Sequence, residues 1–211
     1  MSLWAIVPVK PLKRSKSRLS GVLSDDERAV LNYTMLGNTL KTLKQVSTID
    51  ELLVVSRDPK ILSLARSYKA RTIQEDSSAP LNVTLSRAAF LSQAFASQMV
   101  LILAADLPML SPEDIYNFLS CVGQPPEIVI APDRKKRGIN CLLVNPAGLV
   151  EYKFGSGSYD YYVSASIEKN IRLVESNIPS LSFDLDTPED LEQLRIFETE
   201  QLTQRENGEL L

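Results

Sequence analysis

The chain has no histidine, only two cysteines and only eight glycines in 211 residues. The missing imidazole removes Ser-His-Asp and Cys-His catalysis, histidine acid–base chemistry and most zinc sites. Any metal held here must be held by oxygen ligands, which points to magnesium or manganese. Cys121 and Cys141 form no metal-binding spacing and read as reduced thiols of a cytoplasmic protein. No apolar run approaches the roughly 18 residues needed to cross a bilayer. The N-terminus lacks a signal-peptide layout, because its charges follow its apolar stretch. A net charge of −3 argues against broad binding to nucleic acid or to a membrane surface. What remains is chemistry done by cations, metals and positioning, and phosphoryl or nucleotidyl transfer is of that kind.

What is present starts with the apolar run from Leu3 to Val9, which reads as a strand buried on both faces. Five cations follow within nine positions: Lys10, Lys13, Arg14, Lys16 and Arg18. Strand ends border the ligand crevice of an open parallel sheet, so this loop puts positive charge where an anion would sit. A solvated basic loop is the plain alternative. Ser24 and Glu27 then form a capping box for a helix reaching about Val46, with Leu31, Met35, Leu36, Leu40 and Leu43 at helical spacing. Strands are expected over 51–56, 71–74, 99–104, 127–131, 140–144 and 171–175. Helices are expected over 59–68 and 83–97, from Ser111-Pro112 to about Leu119, and briefly after Ser158. Thr187 caps a last helix with Pro188 at its first position. Strands alternating with helices predict a single α/β domain over 1–197, Rossmann-like, with a mostly parallel sheet covered by helices on both faces. Residues 198–211 read as a polar tail, frayed from about Thr203.

Carboxylates sit at two later strand ends. Asp106 follows the apolar run 99–104, where ligands of α/β sheets gather, although it also suits a plain turn. If 183–186 is extended, Asp184 and Asp186 project to one side, because side chains alternate along a strand. Near Asp106, that pair would make a hard-oxygen site for one or two divalent ions. Glu189 and Asp190 read as first-turn dipole and capping residues, Asp190 standing three positions past the cap. The stretch 133–140 is basic and turns at Gly138 into an apolar strand. Residues 154–158 place glycines and two hydroxyls ahead of a helix, which suits an anion held by amides as well as a simple linker.

Taken together, Val7-Pro-Val-Lys10, Lys16-Ser-Arg-Leu19, the stretch 23–31, Asp106-Leu-Pro108, Gly138 with Asn140, Gly155-Ser-Gly-Ser158 and Asp184-Leu-Asp-Thr-Pro-Glu-Asp-Leu191 resemble the 2-phospho-L-lactate guanylyltransferase family. The resemblance spans roughly residues 3–192 and implies a nucleotide-diphospho-sugar transferase fold. It implies GTP and a small phosphorylated three-carbon acid as substrates: 2-phospholactate, phosphoenolpyruvate or 3-phosphoglycerate. The product would be the guanylated intermediate of the deazaflavin coenzyme F-420. It assigns divalent metal to Asp106, Asp184 and Asp186, the nucleotide to Val9, Lys10, Lys16, Arg18, Asn82 and Asp106, and the acceptor to Asn140, Gly155 and Ser158. Asp106, Lys16 and Arg18 would be the catalytic groups.

Two positions depart from the family pattern. Ile139 stands where relatives carry a small hydroxyl residue, and Tyr162 where they often carry histidine. Two other readings stay open. Another nucleotidyltransferase of this fold would usually open with a glycine-rich loop, yet no glycine lies between Met1 and Ser20. A non-catalytic nucleotide-sensing paralogue is supported by the altered acceptor loop alone. No single side chain declares a base preference, and no stretch identifies the interface of a homodimer.

Overall fold

The computed structural model describes residues 2–12, 16–75 and 80–208. Lys13 and Arg14 of the basic run lie outside the described residues. The strands are β1 (Leu3–Pro8), β2 (Glu51–Ser56), β3 (Arg71–Gln74), β4 (Met99–Leu103), β5 (Glu127–Pro132), β6 (Ile139–Asn145) and β7 (Arg172–Glu175). The helices are α1 (Asp25–Gln45), α2 (Pro59–Ser67), α3 (Leu81–Ala94), α4 (Pro112–Ser120), α5 (Ser158–Glu168), α6 (Pro179–Ser182) and α7 (Pro188–Gly208). All seven strands join one sheet in the order β3-β2-β1-β4-β6-β5-β7. Four pairs are parallel, and β6 runs antiparallel to both β4 and β5.

The continuous apolar runs behave as buried central strands. In β1, Leu3, Ala5 and Val7 enter the core beneath α1, α2, α4 and α6, while Trp4 and Ile6 enter the core beneath α3 and α5. β4 divides the same way: Leu101 and Leu103 face one layer, Val100 and Ile102 the other. A side-chain period of two across a sheet packed on both faces leaves no polar position in such strands. Ser24 accepts from the Glu27 amide while the Glu27 carboxylate accepts from Ser24, so the capping box that opens α1 is in place. Ser111 and Asp114 make the same reciprocal pair at the start of α4.

Three elements differ from the sequence reading. α3 begins at Leu81 because Pro80 already holds the extended cap conformation, so Asn82 lies in the first turn of the helix. The helix stops at Ala94, and Ala96 leaves in the left-handed region with φ 60°. The short α6 carries no periodic pattern that could announce four residues of helix. α7 runs through the tail expected to fray and ends at Gly208. Its Glu, Gln, Leu and Arg content favours helix, and its few apolar residues follow no single sustained face, so it gives no amphipathic signal.

A clamp fixes the start of α7. Thr187 Oγ1 accepts from the Asp190 amide, while Asp190 Oδ2 accepts from the amides of Asp186 and Thr187. The other Asp190 oxygen binds the Arg134 guanidinium. Arg134 also reaches Gln193 Oε1 at 2.9 Å and lies 4.6 Å from the Phe183 ring centroid. Burial alone would push the Asp190 carboxyl up, but the Arg134 hydrogen bond and the two amides outweigh it and hold the carboxyl below its ordinary value. A depressed carboxyl stabilises the fold above its unfolded pKa and loses that contribution as the pH falls through the folded one. Asp190→Ala should therefore cost about 1–3 kcal/mol near neutral pH. The gap to the unaltered chain should close as the pH drops below about 4, which urea denaturation over an acid series checks.

Candidate active site

At the carboxyl end of β1 the chain turns through Lys16, whose φ of 59° and ψ of 39° lie in the left-handed region. A non-glycine residue there costs about 1 kcal/mol or more. The Lys16 carbonyl accepts from the Leu19 amide at 2.9 Å, starting a short 3₁₀ turn over Ser17–Leu19, and Leu19 is fully buried. This turn aims the Lys16 ammonium inward. Its Nζ lies 2.5 Å from Asp106 Oδ2 and 2.8 Å from Asp186 Oδ1, with the side chain 3% exposed. Burial would lower the ammonium pKa, but Asp106 and then Asp186 more than offset it, and the net direction is up.

Asp106 follows β4, and its carbonyl accepts from the Leu185 amide at 3.1 Å. That bond holds 183–186 beside the end of β4 in the alternating arrangement expected. Phe183 and Leu185 are buried, while Asp184 and Asp186 are partly open. Burial, and then the charges of Asp106 and Asp186, push the Asp184 carboxyl above its ordinary value. Arg18, largely exposed, approaches Asp186 Oδ2 at 3.5 Å. Asp106, Asp184, Asp186, Lys16 and Arg18 therefore share one place. Among the described residues, no three acidic side chains converge as tightly as a metal centre would require. Lys16 stands between two of them instead.

Asp133 organises the other half of the rim. Its carboxylate accepts from the amides of Lys135, Arg137 and Gly138, closing the loop between β5 and β6. Because β6 is antiparallel, this loop returns to the same rim as the end of β4, and the Ala104 amide donates to the Asn140 carbonyl at 2.8 Å. Gly138 packs closely on the glycine loop: a Cβ there would lie 3.1 Å from the Gly155 carbonyl. Gly155 itself has φ +93° and open space where a Cβ would be. Ser158 is buried, and its hydroxyl accepts from the Ile139 amide at 3.1 Å. Asn140 is buried too, its side-chain amide donating to the Leu181 carbonyl at 3.0 Å. Asn82 Oδ1 accepts from the Phe154 amide at 3.0 Å and so ties α3 to this loop. Of the three residues assigned to the acceptor, Gly155 faces open space, whereas Asn140 and Ser158 are engaged with the protein.

Val9 and Lys10 lie apart from the acidic cluster and line a cavity of about 300 Å³ with Pro11, Arg57, Glu75 and Leu81. Arg57, Glu75 and the Arg134 clamp carried no local sequence signal, since their partners are distant along the chain. Among the described residues, no helix is long and apolar enough to cross a membrane.

The family model described as "Guanylyl transferase CofC like" matches residues 3–206. The chain belongs to this guanylyl transferase family. It is 36% identical over 194 residues to a phosphoenolpyruvate guanylyltransferase of Rubrobacter xylanophilus, covering 92% of this chain and 94% of the relative. It is 30% identical over 197 residues to the 2-phospho-L-lactate guanylyltransferase of Methanocaldococcus jannaschii, covering 93% and 84%. A solved Desulfovibrio desulfuricans protein assigned as a nucleotide-diphospho-sugar transferase superposes with a TM-score of 0.72. At 16% identity, over 92% of this chain and 87% of that one, it establishes the fold alone. This guanylyl transferase family member is thus a nucleotidyltransferase with the expected nucleotide-diphospho-sugar transferase architecture.

Tyr162 occupies the family's frequent histidine position and is fully buried. Burial pushes its phenol far up, so it acts as a neutral hydrogen-bonding group. Its hydroxyl accepts from the Lys153 amide at 2.8 Å and donates toward the Lys153 carbonyl at 3.2 Å, tying down the chain just ahead of the glycine loop. Tyr162→Phe should leave the Lys153 amide without that acceptor and cost about 1–3 kcal/mol. Equilibrium urea denaturation reads this, with faster amide exchange expected at Lys153.

Proposed function

We propose that this chain transfers the guanylyl group of GTP to the phosphate of a small three-carbon acid, phosphoenolpyruvate or 2-phospho-L-lactate, with 3-phosphoglycerate as a further candidate, releasing pyrophosphate. The product would be the guanylated intermediate of coenzyme F-420 biosynthesis, which the family implies, and the cytoplasm is the compartment that suits both substrates. The carrying observation is the meeting of Lys16, Asp106, Asp184 and Asp186 at the sheet's ligand rim, in a chain whose relatives bear those activities in their names.

The chemistry needs little from a general base. An acceptor phosphate is already largely ionised near neutral pH (second pKa about 6), so its oxygen can attack the α-phosphorus directly. An O–P bond forms to that phosphorus as its bond to the bridging oxygen of the β-phosphate breaks, and pyrophosphate leaves with the electron pair. The absence of histidine is no obstacle. Lys16 and Arg18 supply fixed positive charge beside the triphosphate, Arg18 with the fork geometry that grips phosphate oxygens.

Asp106, Asp184 and Asp186 have the donor chemistry of a divalent-cation site, although with Lys16 between two of them they do not converge as a ready-made ligand cluster. They are hard oxygen donors with no sulfur or imidazole among them, and burial, then the charges of Asp106 and Asp186, raise the Asp184 carboxyl. A magnesium or manganese ion there would neutralise triphosphate charge and polarise its oxygens. These residues would hold it, while Lys16 keeps Asp106 and Asp186 close together.

The test is pyrophosphate release from GTP and magnesium with 2-phospholactate, phosphoenolpyruvate and 3-phosphoglycerate in parallel. Turnover with at least one acid is expected, and Asp106→Asn should abolish it with thermal unfolding little changed. Pyrophosphate release with none of the three acids, or full activity in the Asp106 variant, would sink this reading.

A further inference from the structure

We propose that Glu75 reads the guanine base, its carboxylate accepting from the ring N1–H and the exocyclic 2-amino group. This rests on the guanylyl reading above and names the group that would set its base preference. Glu75 directly follows β3, and its amide donates to the Ser56 carbonyl at 3.0 Å, extending the β2–β3 ladder by one residue. Its backbone is therefore fixed by the sheet. Its side chain is only 6% exposed, yet it borders the 300 Å³ cavity formed with Val9, Lys10, Pro11, Arg57 and Leu81. The ion-pair contact from Arg57 Nε is 3.5 Å, well beyond the roughly 2.7–2.9 Å of a well-formed charged hydrogen bond. A carboxylate sheltered from water beside an open cavity, whose contact to a cation among the described residues is this long one, has acceptor capacity to offer a ligand.

The place in the sheet fits a nucleotide. Across the rim lie Glu75 after β3, Arg57 after β2, Lys10 and Lys16 after β1, and Asp106 after β4. Three strand spacings separate the first from the last, about 14 Å, comparable with an extended nucleoside triphosphate. A base in the cavity would thus send its phosphates past Lys10 toward Lys16 and the aspartates. Among purines, guanine alone of the common pair presents two adjacent donors on its Watson–Crick edge. Adenine presents an acceptor beside a donor, and an acceptor-only carboxylate repels that acceptor. Inosine keeps N1–H but lacks the 2-amino group, so it isolates one of the two contacts.

The experiment measures magnesium-supported binding and pyrophosphate release for GTP, ITP and ATP, in the unaltered protein and in Glu75→Gln. The unaltered protein should bind GTP about 10- to 100-fold more tightly than ITP, and ATP more weakly still. In Glu75→Gln the GTP-to-ITP gap should shrink toward unity and ATP should gain relative to GTP, because a glutamine amide can both accept and donate. A solely structural Glu75–Arg57 pair would instead weaken all three nucleotides equally and leave the ratios unchanged, which overturns the proposal. Equal binding of GTP and ITP by the unaltered protein overturns it as well, whatever the variant's stability. A GTP preference that vanishes in the variant, with no pyrophosphate released from any acid, upholds Glu75 and removes the acceptor reading instead.

Discussion

The Lys16 ammonium, held between Asp106 and Asp186, ties together points of the chain 90 and 170 residues away. The cation is almost fully out of water, so its partners matter more than those of a surface pair. Removing one carboxylate still leaves the ammonium the other, and both aspartates are about a third exposed, which tempers the loss. Much of the surrounding architecture serves that contact. The left-handed turn at Lys16 aims the side chain, the Leu185–Asp106 backbone bond brings the two acidic segments together, and the Arg134–Asp190 clamp fixes the residue that follows Asp186 in the helix start. One lysine cannot balance three carboxylates, and burial together with the charges of Asp106 and Asp186 raises the Asp184 carboxyl. The site is therefore built around an excess of negative charge with cations at its margin.

Sheet topology explains why both halves of the site share one rim. Parallel strands deliver only their carboxyl ends to a given edge, and β1, β2, β3 and β4 do so with Lys10, Arg57, Glu75 and Asp106. β6 runs the other way, so its beginning arrives there instead. That reversal brings Gly138, Ile139 and Asn140 against the Gly155 loop. A β6 parallel to its neighbours would have begun at the opposite edge and carried Ile139 and Asn140 away from this rim.

Much of this was legible in the sequence, for identifiable reasons. β1 and β4 are continuous apolar runs because both faces are covered, and the caps at Ser24, Ser111 and Thr187 are local hydrogen-bond patterns. The pairing of Asp184 with Asp186 follows from alternation alone. What could not be read depends on contacts between distant residues. The family motif singles out Lys16 as a phosphate-binding residue, but nothing in its loop announces that the fold seats it between two aspartates. Arg134 looked like part of a solvated basic stretch, and its partner lies 56 residues away. α7 outran its expected end because helix propensity in a polar segment leaves no periodic trace. Glu75 followed an edge strand with no motif around it, and only the cavity gives it meaning.

The two departures from the family pattern bear on how an acid would be recognised here. Ile139 sends its side chain into the core beneath α3 and α5, while its amide is taken by Ser158 Oγ. Tyr162 is likewise inside, bonded to the backbone at Lys153. Neither position therefore presents a side-chain polar group to a ligand; each fixes the backbone of the loop beside it. The open surface at this corner is the backbone around Gly155, whose positive φ strains any residue with a Cβ, while a Cβ at Gly138 would press on the Gly155 carbonyl. Recognition built on backbone geometry depends on how rigidly the loop is held. In this chain that rigidity comes from Asn82, Tyr162 and Asp133, three polar side chains that bond to main-chain amides and touch no charge of the acidic cluster.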